Sequence, residues 1–264
     1  MATANVGIRE QLGLDPLAEL LKKLNILLYG PPNAGKTHLA ATAQDVPEMS
    51  PCIHLGFEQG LLTVAYRDKY EAKEIRTIDE FERITKIIQT DQASDKPIYK
   101  TLIVDNATEV QNLDIDTVMR WAKKTARNPE SVDIDVPSQR EWGKIGKRLR
   151  RCVVALRDLP MHTIWTAWEG EWIDDADITH YFPKLSGHMK LEFSGYFDIV
   201  GRLQMRTKKI ENKDVAYQTM QVMETARVKA KWRNKPEEVP SIIEMPTMQQ
   251  IWDYAQMTKV GKPV

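Results

Sequence analysis

Short apolar runs recur along the chain, each closed by a polar or glycine-bearing turn: Ile26-Leu27-Leu28-Tyr29, Cys52 to Phe57, Thr101-Leu102-Ile103-Val104 and His162 to Ala167. Apolar runs this short, bounded by turn signals, predict buried strands. Between them, apolar positions repeat at helical spacing over 35–43, 80–89, 107–124 and 138–158. Strands alternating with helices predict a mostly parallel, twisted sheet flanked by helices, an α/β fold. Glu74 to Ile78 adds a short strand. After Phe193 the pattern changes to strands over 197–204, 216–223 and 226–232, with Asn212-Lys213-Asp214 as a turn, so a β-rich antiparallel C-terminal extension is expected. Leu14 to Leu21 predicts a short leading helix, with Asp15 as N-cap and Pro16 in its first turn. A further helix is expected around Trp252-Asp253-Tyr254. Ala126 to Pro137, with Pro129 and Pro137 as breakers, reads as a mobile loop.

Composition narrows this picture. With 264 residues, 42% of them hydrophobic, the chain can bury one full core, and no linker divides it. The expected organisation is a leading segment 1–24, a core 25–235 and a C-terminal tail 236–264. Lys+Arg 37 balance Asp+Glu 37, so any attraction for nucleic acid must come from local patches. Cys52 and Cys152 stand alone, without a CxxC, which excludes a disulfide framework and a cysteine zinc site and fits a reducing compartment. No apolar run approaches 18 residues and the N-terminus has no signal core, so an intracellular, cytoplasmic protein without a membrane segment is expected.

The first strand leads into Gly30-Pro31-Pro32-Asn33-Ala34-Gly35-Lys36-Thr37 and then a helix beginning near His38. Strand, glycine-bearing loop, Gly-Lys-Thr and helix in register form a phosphate-binding P-loop. Its backbone N–H groups converge on one point, to which the helix adds its positive end. Lys36 is expected on the β- and γ-phosphates, Gly35 allows close approach of the backbone, and the Thr37 hydroxyl completes a Mg²⁺ shell.

A second carboxylate-bearing edge follows. Thr101 to Val104 delivers Asp105 at a strand end, where ligands bind in open α/β sheets. Beside a P-loop, Asp105 reads as the acid that holds Mg²⁺; alone, it would read as a cap for the helix starting at Ala107. Asn106 follows where many P-loop ATPases carry a glutamate that orients water, so the base must come from elsewhere. Glu58, closing the strand 52–57, is the candidate, against the plain reading of a solvated loop glutamate.

At these residues the chain resembles the RecA family of recombinase ATPases, in which the glutamate ending the strand after the P-loop helix polarises water. Gly187 to Phe193 with Phe197-Asp198-Ile199-Val200 is similar to the stretch after that family's second DNA loop. Glu224 to Arg233 resembles its late strand, where basic residues at i and i+2 reach the neighbouring subunit's nucleotide. The resemblance gives that role to Lys231 and Arg233, with Lys229 as the alternative register, whereas an edge strand guarded by lysines is the plain reading. It covers residues 25–235 and implies a RecA-like core, ATP, Mg²⁺ and a homo-oligomer, ring or filament, with ATP between subunits. The absence of further domains resembles the core-only phage ATPases that anneal single strands or mediate recombination. The family's polar γ-phosphate sensor is replaced by Trp165-Thr166-Ala167-Trp168-Glu169, where Thr166 could serve.

Single-stranded DNA is the partner implied. Arg140, Lys144, Lys147, Arg148 and Arg151 share one helix face, opposite Trp142, Ile145, Leu149, Cys152, Val153 and Leu156, and could neutralise phosphates. By resemblance, 126–137 and 169–186 are the DNA loops, and Trp172, Tyr181 and Phe182 could stack on bases. Both loops also hold acids: Glu130, Asp133 and Asp135 in one, Asp174, Asp175 and Asp177 in the other. Three functions stay open. One is a DNA-dependent recombination ATPase that anneals or exchanges strands, alongside single-strand-binding or replication proteins. Another is a helicase loader or motor acting on a protein, although the missing Asp-Glu pair counts against an AAA+ motor. The last is a DNA-binding module switched by ATP without required hydrolysis.

Overall fold

The computed structural model describes residues 23–67, 70–211, 213–233 and 235–257; the helix expected over 14–21 and the turn residue Asn212 lie outside the described residues. The P-loop strand β1 (Asn25–Gly30) leads to α1 (Lys36–Ala41), β2 (Cys52–Gly56), β3 (Glu71–Glu74) and α2 (Ile78–Gln92). Next come β4 (Thr101–Asp105), α3 (Ala107–Thr125), α4 (Gln139–Arg157), β5 (His162–Ile173) and β6 (Thr179–Pro183). The chain continues through α5 (Met189–Glu192), β7 (Ile199–Ile210), β8 (Lys213–Gln221), β9 (Lys231–Trp232), β10 (Ile242–Glu244) and α6 (Met248–Met257).

One sheet runs in the order β10-β8-β7-β1-β5-β4-β2-β3. The strands from β7 to β3 are mutually parallel, while β8 and β10 close the other flank antiparallel. This is the mostly parallel α/β sheet with an antiparallel C-terminal part that the pattern predicts. The tail is continuous with it: β10 pairs with β8, and α6 buries Met248, Ile251, Trp252 and Ala255.

β1 is buried throughout and alternates between two cores. Leu27 and Tyr29 join the face covered by α2, α3 and α4, with Phe81, Leu149 and Trp165; Ile26 and Leu28 join the other, with Leu39, Met220 and Trp252. Each such side chain contributes about 1.5–3 kcal/mol on burial, so this one strand fastens both layers. Trp165 is the hub of the helical face, edge-on to Phe81, Phe193 and Phe197 at 6.5, 5.9 and 6.5 Å between centroids.

Several expectations need correction. The short strand sits at 71–74 rather than 74–78, because Thr77 accepts a hydrogen bond from the Glu80 N–H and starts α2 at Ile78. The segment 169–186 is mainly a β-hairpin: β5 runs on to Ile173 and pairs antiparallel with β6. Within 226–232 only β9 is a strand, held to β7 through Ile199 and Val200. The proposed turn residues Lys213 and Asp214 lie inside β8. The loop 126–137 contains one turn of 3₁₀ helix, Pro129–Ser131.

Arg148 ties three helices together. Its guanidinium lies 3.1 Å from Asp114 on α3 and 3.0 Å from Glu82 on α2. Burial pushes the Asp114 carboxyl up, to about 6, against the pull of Arg148. A folded-state value above the ordinary 3.8 means the folded chain holds this proton more tightly than the unfolded one. Its stabilising contribution is full below about 4 and lost as pH rises through about 6. Asp114→Asn is therefore expected to flatten the fall in thermal midpoint across that window; identical pH slopes for variant and wild type would show that Asp114 does not titrate there.

Candidate nucleotide site at the carboxyl edge of the sheet

The C-terminal ends of β1, β2, β4 and β5 converge on the loop from Gly30 to Thr37. Asn33 and Gly35 take left-handed backbone, φ 62° and 79°, which turns the loop over. A Cβ at Gly35 would lie 2.5 Å from the Gln218 amide nitrogen, and that amide donates to the Ala34 carbonyl at 2.5 Å. β8 thus packs directly on the loop, a contact no sequence pattern announces. Pro32 and Asn33 are exposed, Pro31 half-buried and Ala34 buried. Lys36 is 8% exposed, and its ammonium donates to the carbonyls of Gly30 and Pro31, each at 3.0 Å. Burial lowers its pKa, and Asp105, Glu58 and Glu169 counter that by favouring the charged form. α1 spans only six residues before a 3₁₀ turn, so a phosphate here would be held mainly by the loop and Lys36.

Asp105 ends β4 with 2% exposure. Thr37 donates its hydroxyl to one carboxylate oxygen at 2.6 Å, and Thr166 on β5 donates to the other. His54, fully buried on β2, places Nε2 3.5 Å from the same oxygen as Thr37. Burial pushes the carboxyl up, but His54, Thr166 and Thr37 outweigh it and hold Asp105 below its usual range. Asp105 does not cap α3; Asn106 does, accepting from the Glu109 N–H at 2.9 Å. Asp105 is thereby free to face Thr37, a pair of hard oxygen donors of the kind Mg²⁺ takes beside phosphate.

Glu58 follows β2 and faces the same edge. Asn106 donates to its carboxylate at 2.7 Å, and the Trp168 indole N–H is a second donor. Burial and the nearby Asp105 charge raise its pKa, and those two donors partly offset the rise. Gly60 packs between the groups: a Cβ there would touch Thr37, Asp105 and Glu58 at 3.6–3.8 Å. Thr166, the sensor candidate, is occupied with Asp105, and Trp168 instead meets the Glu58 carboxylate.

Sequence reasoning missed His54 and Tyr70. The Tyr70 hydroxyl lies 2.8 Å from His54 Nδ1. Because Nε2 faces a carboxylate, the favourable tautomer carries its proton there, so the Tyr70 O–H donates to Nδ1. The signal was a histidine within an apolar strand, two residues before Gly56, which pairs with Asp105 and so shares its face.

The remaining candidates lie around this centre. His38 is exposed and stacks on Tyr66, with Nδ1 3.1 Å from the tyrosine hydroxyl. Lys231 and Arg233 lie away from the chain's own P-loop, level with the start of β7. Lys231 donates to the carbonyls of Ser194 and Gly195 at 3.5 and 3.4 Å, and Arg233 pairs with Asp198 at 3.3 Å. On α4, Arg140, Lys147 and Arg151 are exposed, Lys144 lies over Trp121, and Arg148 is not a free cation because Asp114 and Glu82 hold it. Trp172 is 53% exposed on the hairpin, beside His180, which pairs with Asp174 at 2.8 Å.

With this geometry in place, the chain belongs to the AAA domain family, whose model matches residues 22–234. It is a P-loop ATPase. Among solved structures, the flagellar accessory protein FlaH of Methanocaldococcus jannaschii is similar over 84% of this chain and 84% of its own, at 9% identity and a TM-score of 0.40. No curated protein matches the sequence. Among the described residues no helix is long and apolar enough to cross a membrane.

Tyr70→Phe tests the buried chain behind Asp105. With Asp105 as the carboxylate proposed to hold Mg²⁺, loss of the hydrogen bond behind His54 is expected to raise the Mg²⁺ concentration needed for tight nucleotide binding about ten-fold. The thermal midpoint should fall by no more than the few degrees one hydrogen bond is worth. An unchanged Mg²⁺ requirement would leave His54 and Tyr70 as packing alone.

Proposed function

We propose that this ATPase acts on single-stranded DNA, promoting annealing or strand exchange as a homo-oligomer with ATP bound between subunits. The observation that carries the catalytic part is the meeting of Lys36, Thr37, Asp105 and Glu58 at one sheet edge. Gly30 to Thr37, with His38 and Tyr66 alongside, would receive the nucleotide. Thr37 and Asp105 would hold Mg²⁺, which supplies charge neutralisation on the phosphates when bound. Lys36 gives up its bonds to the Gly30 and Pro31 carbonyls for phosphate oxygens, replacing two neutral acceptors by charged ones. Glu58, aimed by Asn106 and Trp168, orients the attacking water and takes its proton. Lys231 and Arg233 would complete the site of a neighbouring subunit, each exchanging a surface partner for phosphate. DNA contacts are assigned to α4, whose Arg140, Lys144, Lys147 and Arg151 give a salt-dependent attraction.

A second reading, a loader or motor working on a protein, is favoured by the hairpin tip. Asp174, Asp175 and Asp177 make that tip acidic, and Ile173 beside it is 60% exposed. A switch in which ATP binding alone alters DNA affinity is the remaining alternative.

Steady-state ATP hydrolysis with and without single-stranded DNA, at low and moderate salt, separates them. Lys36→Ala should abolish turnover, and Glu58→Ala should lower it by about 10²–10⁴-fold with ATP binding retained. DNA is expected to stimulate the wild type, less so as salt rises. Hydrolysis indifferent to DNA would favour the protein partner, and annealing that survives in Glu58→Ala would favour the switch.

A further inference from the structure

A groove of about 850 Å³ opens where α2, α3 and α4 meet. Its floor is apolar, formed by Val118 and Trp121 of α3, and Trp121 is 52% exposed. One wall is the cationic ridge of α4, with Lys144, Lys147, Arg150 and Arg151, and among the described residues that line the groove the one carboxylate is Asp79, in the first turn of α2; Glu192 lies on the other side of the ridge. Lys144 sits 4.2 Å over the Trp121 ring, so the aromatic is already part of a cationic surface. Lys147, Arg150 and Arg151 have no ion-pair partner among the described residues, unlike Arg148 beneath them. Lys147 and Arg150 also border a smaller hollow of about 180 Å³ on the far side of α4. There Gly143 and Gly146 leave the helix backbone uncovered, with nothing within 4 Å of either Cβ position.

We infer that this three-helix groove is a single-stranded nucleic-acid site, with a base stacked on Trp121 and the phosphate backbone following the Lys147, Arg150 and Arg151 ridge. The inference rests on the single-strand reading above and places the contact on α4 and α3, not on the acidic hairpin. Charge complementarity selects a polyanion, and the exposed indole among cations selects one that carries planar rings. From Lys144 to Arg151 the ridge spans about 10 Å at 1.5 Å per residue, roughly three nucleotide steps at 3.4 Å. The hairpin offers an exposed Trp172 as well, but its tip presents Asp174, Asp175 and Asp177, which repel phosphates.

The test is fluorescence anisotropy of a labelled oligothymidylate at several salt concentrations. It compares the full chain with Trp121→Ala, with Lys147→Ala/Arg151→Ala and with Trp172→Ala, and checks the fold of each by thermal midpoint. Trp121→Ala is expected to weaken binding about ten-fold, the loss of one base stack. The double variant should reduce the slope of log K against log salt by about 1.4, two phosphate contacts on a single strand. Wild-type affinity and slope in both groove variants, Trp121→Ala and Lys147→Ala/Arg151→Ala, with binding lost in Trp172→Ala, would overturn the groove and leave single-strand binding standing. Competition by polyglutamate as strong as by the oligonucleotide and insensitive to Trp121 would assign the groove to an acidic protein segment and overturn the inference. If the wild type binds no oligonucleotide at any salt, the single-strand reading itself fails, and the groove with it.

Discussion

Asp105 is 2% exposed, and an ionised carboxylate that deep costs several kcal/mol unless donors surround it. Thr37, Thr166 and His54 surround it, from α1, β5 and β2. Those donors come together only if β5 lies between β1 and β4 and β2 lies on β4's other side, the order the sheet has. The strand order and the charge of this one group therefore support each other. A slip of one residue in β5 would turn Thr166 to the opposite face and leave the carboxylate short of a donor.

Lys36 shows the complementary constraint. A buried ammonium must be hydrogen-bonded, and here the loop's own carbonyls serve. The loop is thereby held in shape around the position that phosphate oxygens would take. β8 adds to this through Gln218. Beneath the loop, Arg202 makes a two-point ion pair with Glu169 at 2.7 and 3.1 Å and stacks on Tyr181 at 3.6 Å. Arg202 pairs in register with Tyr29, and Glu169 opens the hairpin, so the P-loop strand and the hairpin share one rigid junction. Trp168, bonded to Glu58, lies one residue before that junction.

Much of this was legible in the residues because it is local. The Ile26 to Tyr29 run, the Gly-Lys-Thr turn and the Thr101 to Asp105 strand each carry their signal within a few positions, and so does the two-faced α4. The hairpin was not legible: Glu171, Asp174, Asp175 and Asp177 mix with Trp172, Tyr181 and Phe182, which blurs the alternation that marks a strand. β10 is three residues long and forms because β8 offers an unpaired edge. His54, Trp168 and Gln218 reach the site from positions far apart in the chain, and periodicity does not say which distant side chains will meet. Arg148 was placed correctly on its helix face, yet its partners Glu82 and Asp114 come from two other helices.

Calorimetric titration of ATP into Asp105→Asn, with and without Mg²⁺, bears most directly on the claim that this buried carboxylate organises the site. Asparagine keeps the shape and one acceptor but removes the charge. The account predicts that Mg²⁺-free binding stays near wild type while the Mg²⁺-dependent gain in affinity and hydrolysis both collapse. An Asp105→Asn protein that still gains affinity from Mg²⁺ and turns over ATP at the wild-type rate would contradict it.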